Sequence, residues 1–325
     1  MPTILLCQPI HASGMALLQA RRDVTIRMLN RPSPEELAAA MPGVHAVLAG
    51  ADVVDEALLA AAPDLRTVAR HGVGYDTVDV PACTRRGIAV SITAGGNDLS
   101  VAEHTLMLLL AVARRTVEMD AATRAGRWLL RDGRPMGELA ARTILVVGYG
   151  RIGSRVARLC AAFGMNVLVC DPAFSVPRIA ADGFTPVTDI AATLPRVDVL
   201  TLHCPLGEQT RHMINREMLG LMKPTAWLIN TARGPLVDEA ALIEALSSGR
   251  LEAAGLDVLL HEPPDPANPL LKLPNVVLSP HNAAMPLECQ AKMAVRAAKN
   301  LLEFFDGALD PSYVINPETL LRRNA

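Results

Sequence analysis

The sequence predicts an α/β protein built from two doubly wound parallel-sheet domains. Short apolar runs alternate with helical patterns along nearly all of the 325 residues, which is typical of parallel strands covered by helices. One strand–helix–strand unit, residues 143–171, contains a glycine-rich turn. The chain is also too long for one average hydrophobic core, so we expect two domains.

The glycine-rich unit predicts a dinucleotide site. Residues 144–147 form a continuous apolar run, as a strand buried on both faces requires. Gly148, Gly150 and Gly153 then give the pattern G-x-G-x-x-G, which allows a tight turn, close approach to a pyrophosphate and close packing of helix on strand. The next apolar run ends on Asp171, whose carboxylate can accept hydrogen bonds from a ribose diol. The glycines alone would also fit a purely structural turn.

Composition excludes several classes of function. The net charge is −2 and only 3% of the residues are aromatic, so we expect no nucleic-acid partner. The six cysteines form no C-x-x-C pair and the eight histidines show no H-E-x-x-H spacing, so we predict packed thiols and no metal site. The N-terminus has no charged region typical of a signal peptide, and no apolar run could cross a bilayer. We therefore predict a cytoplasmic protein without a membrane partner.

The first hundred residues predict a small parallel sheet. Five β-like runs occur there, at residues 4–7, 24–28, 44–49, 65–69 and 88–92. Between them, Ser33 and Glu36 form a capping box with Pro34 at the first helical position, and Asp55 is placed to cap a further helix. This sheet has no glycine fingerprint for phosphate, so we do not expect it to hold the nucleotide.

A long apolar helix is predicted next. Ser100 and Glu103 form a second capping box, which opens a helix through about Met119. Residues 106–112 leave almost no polar face, and a helix that is apolar all round is buried. Either a subunit interface or burial between the two domains would explain the pattern.

Strand–helix alternation continues to the end of the chain. Further strands are predicted at residues 197–202, 226–229, 253–256 and 276–278. One helix is predicted from Asp238 to Leu246 and another from Pro286 to Gly307. The last helix follows the final strand, so we expect it to return to the first domain.

Residues at the strand ends predict the active site, because ligands bind outside the carboxyl ends of an open α/β sheet. Taken singly, Arg233, Glu262 and His281 would pass as surface or loop residues, but jointly they suggest a site. Arginine can hold a carboxylate through two parallel hydrogen bonds, histidine can donate a proton near neutral pH, and a glutamate favours the charged imidazole. Cys204 also follows a strand, but it has no basic partner in the sequence and is interpreted as a packed thiol.

With these motifs the sequence resembles the D-isomer-specific 2-hydroxyacid dehydrogenases over nearly its whole length. The matching segments are residues 71–76, 95–97, 100–104, 148–153, 230–234, 257–263 and 279–281. The resemblance implies two Rossmann-like domains. The substrate-binding domain would be flavodoxin-like and discontinuous, residues 1–99 plus 288–325, and the NAD-binding domain would be residues 100–287. It also implies a homodimer through the helix 100–119.

The same resemblance implies residue roles. Arg233 would bind and polarise a 2-oxo acid, His281 would donate the proton, and Glu262 would be its partner. The implied cofactor-binding residues are Gly148, Gly150, Arg151, Ile152, Gly153, Asp171, His203, Cys204, Pro205, Thr231, Ala232, Arg233, Asp257 and His281. The implied substrate-binding residues are Val73, Gly74, Asn97, Arg233 and His281, the first two through backbone amides.

The predicted function is NAD-dependent interconversion of a small 2-oxo acid and its D-2-hydroxy acid, with a glyoxylate- or hydroxypyruvate-type substrate. Phosphoglycerate dehydrogenases resembling this chain carry arginine and serine where Ala49 and Gly50 fall, which disfavours a phosphorylated substrate, although Arg70 and His71 could supply positive charge. An NAD-sensing scaffold similar to the C-terminal binding corepressors is an alternative. A formate-oxidising relative would carry glutamine in place of Glu262. Residues 282–286 also depart from the small-residue run usual in the family.

Overall fold

A computed structural model describes residues 1–321. The chain divides into two compact units, Met1–Asn97 with the described residues from Ala284 onward, and Asp98–Ala283. Each unit contains one sheet in which the neighbouring strands are parallel. The predicted α/β fold with two parallel sheets is therefore confirmed.

Twelve strands are present in residues 1–321. In chain order they are β1 Thr3–Leu6, β2 Thr25–Met28, β3 Ala46–Ala49, β4 Thr67–Arg70, β5 Ala89–Ser91, β6 Thr143–Val147, β7 Asn166–Cys170, β8 Thr185–Pro186, β9 Val199–Leu202, β10 Trp227–Asn230, β11 Ala253–Leu256 and β12 Val276–Leu278. All except the two-residue β8 overlap a strand that the sequence predicts.

Thirteen α-helices are present in the same residues. They are α1 Ala12–Gln19, α2 Pro34–Ala40, α3 Glu56–Ala60, α4 Val80–Arg85, α5 Asp98–Ala113, α6 Thr116–Arg124, α7 Arg151–Ala162, α8 Val176–Ala181, α9 Ile190–Thr193, α10 Arg216–Leu221, α11 Glu239–Ser247, α12 Leu287–Phe305 and α13 Glu318–Leu321. None of these helices is long and apolar enough to span a membrane.

The first unit has the strand order β2-β1-β3-β4-β5. Alternate residues of β1 point to opposite faces: Leu5 packs into the core covered by α2, α3 and α4, whereas Ile4 and Leu6 pack into the core of α1 and α12. The strand order reverses between β1 and β3, which makes this point the switch point of the sheet. The capping box of Ser33 and the cap of Asp55 are both formed as predicted.

The second unit has the strand order β12-β11-β10-β9-β6-β7-β8. Ile144 and Val146 of the central strand β6 face the core shared with α5 and α7, and Leu145 and Val147 face the core shared with α10 and α11. Burial on both faces explains why β6 is an unbroken apolar run. The carboxyl ends of β6, β7 and β9 to β12 lie along one edge of this parallel sheet, and they carry most of the predicted site residues.

The predicted helix from Ser100 to Met119 is wrong in two respects. The helix α5 begins at Asp98, so Ser100 lies inside it and caps nothing, and the helix stops at Ala113. The carbonyl oxygen of Ala113 accepts from the amide of Gly137, and Arg115 adopts a left-handed conformation with φ 49° before α6 begins. Met107 on this helix is 44% exposed in the single chain.

Candidate active site

The turn between β6 and α7 is built by two close backbone approaches. Gly148 has φ 94°, and a Cβ atom there would lie 2.6 Å from the amide nitrogen of Cys204. A Cβ atom on Gly153 would lie 1.9 Å from the carbonyl oxygen of Gly148. Both positions therefore exclude any larger residue while β6, β9 and α7 keep this packing.

The N-terminus of α7 fits a pyrophosphate. Gly150 precedes the helix and supplies no side-chain cap, and a Cβ atom there would meet nothing within 4 Å. The first amides of a helix have no acceptor within the helix, so those of α7 can donate to an anion. Arg151 and Ile152 form the first turn, where Arg151 is exposed and Ile152 packs against the core.

A cavity of about 1020 Å³ lies beside this turn at the ends of β6, β7 and β9. Its lining residues near the strand ends are Gly148, Asp171, Pro172, Cys204 and Pro205, and its apolar walls include Val187, Ile190 and Met213. A largely apolar cavity with a few placed polar groups is typical of small-molecule sites. Its size and its acidic edge fit the adenosine half of a dinucleotide.

Asp171 is held in place at the edge of this cavity. One carboxylate oxygen accepts from the amide of Tyr149 at 2.6 Å, and the other accepts from the amide of Ala173 at 2.8 Å. An ionised carboxylate has about four lone-pair sites. Each oxygen therefore keeps capacity for a ribose hydroxyl.

His203 and Cys204 follow β9 as neutral groups. Burial lowers the pKa of His203 to about 3, and its Nε2 atom lies 2.9 Å from Oγ1 of Thr201. Burial raises the pKa of Cys204 to about 11, and its Sγ atom lies 3.7 Å from Sδ of Met213. An acid–base role for this histidine and a nucleophilic role for this cysteine both lack support, in line with the packed-thiol interpretation.

The turn that carries Arg233 is braced by Asn230. The Asn230 side chain donates to the carbonyl oxygen of Arg233 at 2.8 Å and accepts from the amide of Ala232 at 3.0 Å. Thr231 Oγ1 lies 2.9 Å from Thr105 Oγ1 on α5. Sequence reasoning placed Asn230 in a matching segment but gave it no role, because its bonds return to its own turn.

A close approach links this turn to the loop that carries Glu262. A Cβ atom on Gly234 would lie 1.9 Å from the carbonyl oxygen of Leu259. Only a glycine immediately after Arg233 permits the two loops to pack so closely. The half-buried Arg233 also donates to the carbonyl oxygen of Ala232 at 2.7 Å.

His281 and Glu262 form a direct pair. The Nδ1 atom of His281 lies 2.6 Å from Oε2 of Glu262, and Oε1 of Glu262 accepts from the amide of Leu259 at 3.0 Å. This hydrogen bond with Glu262 raises the pKa of His281, although burial and the positive charge of Arg233 oppose the shift. With Nδ1 engaged, Nε2 is the ring nitrogen that can deliver a proton to a ligand.

Hydrogen bonds to Asp257 fix the backbone conformation of His281. His281 has φ 50°, a region that few residues other than glycine adopt. Its amide donates to the carbonyl oxygen of Asp257 at 2.8 Å, and the Asp257 carboxylate accepts from the amides of Asn282 and Ala283 at 3.0 and 3.1 Å. Asp257 thus holds the backbone on both sides of the histidine.

Two residues that sequence reasoning missed complete this network. Ser279 donates to Asp257 at 2.6 Å, and Nε2 of His104 lies 2.8 Å from Oγ of Ser279 and 3.3 Å from Asp257. Burial opposes ionisation of Asp257, but the hydrogen bonds from His104, Ser279 and the two backbone amides outweigh it and lower its pKa. Most of the acceptor capacity of Asp257 is therefore used inside the protein, and its role at a nicotinamide stays a prediction.

Val73, Gly74 and Asn97 belong to the first unit. Val73 and Gly74 follow β4, and the carbonyl oxygen of Gly74 accepts from Nε of Arg70 at 2.9 Å. Asn97 is buried, and its Oδ1 atom has no hydrogen-bond partner within residues 1–321. These three residues stay predictions for substrate contact.

The described residues contain no group of three or more histidine, cysteine or acidic side chains that could hold a metal ion. Five of the six cysteines are buried.

The chain matches known proteins over most of its length. Residues 106–283 match the family model described as D-isomer specific 2-hydroxyacid dehydrogenase, NAD binding domain. A glyoxylate reductase of Thermofilum pendens is 38% identical and covers 98% of this chain and 96% of its own length. A D-3-phosphoglycerate dehydrogenase of Archaeoglobus fulgidus is 37% identical over 94% of this chain, which spans only 57% of that protein.

A solved structure is similar in fold as well as in sequence. It is an NADPH-dependent glyoxylate/hydroxypyruvate reductase from Sinorhizobium meliloti, in complex with NADP and malonate. The identity is 32%, the TM-score is 0.84, and the match covers 94% of this chain and 93% of that one.

Proposed function

Because the chain belongs to the D-isomer-specific 2-hydroxyacid dehydrogenase family, we propose that it reduces a small 2-oxo acid to the D-2-hydroxy acid with NADH. The observation that carries this proposal is the His281–Glu262 pair, whose loop packs against the turn of Arg233 in the NAD-binding unit. Bound NADH would supply the hydride for the carbonyl carbon. The protein then has to bind the acid, orient its carbonyl and give one proton to the oxygen.

Three residues of the chain meet these needs. The Arg233 guanidinium binds the 2-oxo acid and stabilises the negative charge that develops on the carbonyl oxygen. His281 gives its Nε2 proton to that oxygen, and Glu262 stabilises the charged imidazole and fixes the ring. Asp257 acts as a positioning residue, because it holds the backbone on both sides of His281.

NADH is the proposed cofactor rather than NADPH. The fixed carboxylate of Asp171 accepts ribose hydroxyls but repels a 2′-phosphate, and Pro172, Ala173 and Phe174 offer no positive charge beside it. The similar reductase from Sinorhizobium meliloti is NADPH-dependent, so cofactor choice is not settled by family membership.

The proposed substrate carries no phosphate and is of the glyoxylate, hydroxypyruvate or pyruvate type. Ala49 and Gly50 offer neither charge nor hydroxyl at the end of β3. Arg70 is buried and donates to the carbonyl oxygens of Ala49 and Gly74. Burial lowers the pKa of His71 to about 4, so this ring is neutral. Arg70 thus already donates to two backbone carbonyl oxygens, and His71 carries no charge. Neither residue is therefore well suited to bind a substrate phosphate.

Phosphoglycerate dehydrogenase activity is the second candidate, favoured by the 37% identity to the enzyme of Archaeoglobus fulgidus. The deciding experiment measures kcat/KM with NADH and NADPH for glyoxylate, hydroxypyruvate, pyruvate and 3-phosphohydroxypyruvate. We expect a non-phosphorylated acid and NADH to give the highest value. A clear preference for the phosphorylated compound would select the second candidate.

We also propose a cytoplasmic homodimer. Five of the six cysteines are buried, and cysteines packed in the core suit a reducing compartment. The segment from α5 to the start of β6 exposes six large apolar side chains, namely Leu99, Met107, Val117, Trp128, Leu129 and Met136. We place the interface at these side chains, because contiguous exposed apolar surface marks contacts between proteins. The proposed interface therefore extends beyond the predicted helix 100–119.

A further inference from the structure

The side-chain amide of Gln8 lies at the switch point of the first sheet and has no role in the proposed function. Gln8 follows β1 and Gly50 follows β3, and the strand order reverses between these two strands. Ligands of doubly wound sheets bind outside the carboxyl ends of the strands at such a point. The side chains at these two positions therefore bear on any ligand that the first unit receives.

The Gln8 side chain lies directly over Gly50. A Cβ atom on Gly50 would lie 2.3 Å from Oε1 and 2.6 Å from Cδ of Gln8. The missing side chain at position 50 is thus what makes room for the amide. Gln8 is half-buried, and its side chain has no hydrogen bond to any residue within 1–321. An amide has two donors and an acceptor to offer a ligand.

The same edge leads to the predicted carboxylate-binding amides. Arg70 donates through Nη1 to the carbonyl oxygen of Ala49 at 3.2 Å and through Nε to that of Gly74 at 2.9 Å. One guanidinium therefore spans from the end of β3, beside Gln8, to the loop of Val73 and Gly74. The end of β3 and the loop of Val73 and Gly74 are therefore linked through Arg70 within one compact unit.

The carboxylate of Asp52 disfavours an anionic tail beside Gln8. Asp52 accepts from the amide of Gly50 at 2.7 Å and adds a negative charge beside Gln8. The ring of His71 is neutral, and the Arg70 guanidinium keeps its positive charge but directs Nε and Nη1 to backbone carbonyl oxygens. An uncharged hydroxyl can bond the Gln8 amide, whereas a phosphate dianion would face the Asp52 carboxylate.

We propose that Gln8 is a specificity-determining residue, whose amide hydrogen-bonds an uncharged polar group on the far end of a three-carbon 2-oxo acid such as the hydroxyl of hydroxypyruvate. This inference rests on the proposed function. It separates hydroxypyruvate from glyoxylate, because glyoxylate has no group beyond its carbonyl carbon to reach the amide.

The test compares Gln8→Leu with wild type on these two substrates with NADH. Leucine keeps much of the volume and removes the hydrogen bonds. We expect kcat/KM for hydroxypyruvate to fall about 3- to 10-fold, mostly through KM, while the value for glyoxylate stays within about two-fold. Gln19→Leu, the same change on the exposed end of α1, is the matched control and should alter neither value.

A second variant guards against a general loss of structure. In Gly50→Ala the new methyl group displaces the flexible Gln8 amide, so the same selective loss on hydroxypyruvate is expected. Equal losses on both substrates, or none on hydroxypyruvate, would overturn the role of Gln8 while leaving the proposed function intact. A wild-type protein that reduces none of glyoxylate, hydroxypyruvate and pyruvate with either cofactor would overturn both.

Discussion

At the scale of single residues, the His281–Glu262 pair sets the expected pH dependence. Glu262 raises the pKa of His281, and reduction consumes the proton of the charged imidazole. The value of kcat/KM for reduction should therefore be full below the pKa of His281 and fall as pH rises through it.

In Glu262→Gln the neighbouring negative charge is lost, so this fall should move to lower pH. The measurement is the pH profile of kcat/KM for wild type and variant. Glu239→Gln is the control, because Glu239 binds the amide of Leu260 in the same region without contacting His281. Superimposable profiles for wild type and Glu262→Gln would show that the pair does not tune the proton donor.

Asp171 is predicted to determine the preference for NADH over NADPH. Wild type should give a higher kcat/KM with NADH than with NADPH, because the carboxylate is fixed by two backbone amides where a 2′-phosphate would lie. Asp171→Ala should lose efficiency with NADH and gain with NADPH, so that the ratio moves toward one. An unchanged ratio in the variant would remove Asp171 from cofactor selection.

The residues that could be predicted from sequence are those with a local signature. Gly148 and Gly153 are fixed by spacing, and the structure gives each a close backbone contact as the reason. His104 and Asn230 were not assigned, because each acts through neighbours rather than on a ligand. His104 reaches Ser279 and Asp257 across the fold, and no periodicity or motif encodes such a contact.

At the scale of elements, the β6–α7 unit offers a matched pair of substitutions. Gly150→Ala adds a methyl group in open space at a backbone conformation, φ −69°, that alanine adopts readily. Its thermal stability should stay near wild type, whereas the Kd for NADH should rise about 10- to 100-fold, because the methyl group occupies the approach of the pyrophosphate.

Gly153→Ala forces a methyl group against the carbonyl oxygen of Gly148. Overpacking of this kind typically costs about 1–3 kcal/mol, which corresponds to a Tm lower by roughly 2–10 °C. Thermal unfolding and NADH titration of both variants separate the two roles. Equal stability and equal NADH affinity in the two variants would contradict the assignment of one glycine to the ligand and the other to packing.

The strands could be predicted better than the helix ends. Strands buried on both faces leave unbroken apolar runs, whereas the end of α5 has no glycine or proline to announce it. It results from the bond between Gly137 and Ala113 and from the left-handed Arg115. The hydrogen bond and the left-handed residue both depend on how residues 113–137 fold back onto the helix. The apolar pattern of residues 106–112 carries no information on that fold.

At the scale of the whole molecule, the exposed apolar segment predicts a dimer. Sedimentation equilibrium of wild type should give twice the chain mass of 34.6 kDa. Trp128→Asp places a charge at a side chain that is 62% exposed, and it should shift the equilibrium toward monomer. Phe163→Asp, an exposed aromatic position outside the segment, is the control and should leave the dimer intact. Sedimentation of Trp128→Asp as a stable dimer would place the interface elsewhere.

The central claim is that Arg233 and His281 carry out the reduction of a 2-oxo acid and contribute little to the affinity for NADH. The most direct measurement is the rate of hydroxypyruvate reduction in His281→Asn and Arg233→Ala, with the Kd for NADH determined on the same preparations. We expect the rate to fall about 100-fold or more in each variant, through loss of the proton donor or of the anchoring charge, with the Kd for NADH within about three-fold of wild type. Near-normal rates in both variants, with NADH bound as in wild type, would contradict the account.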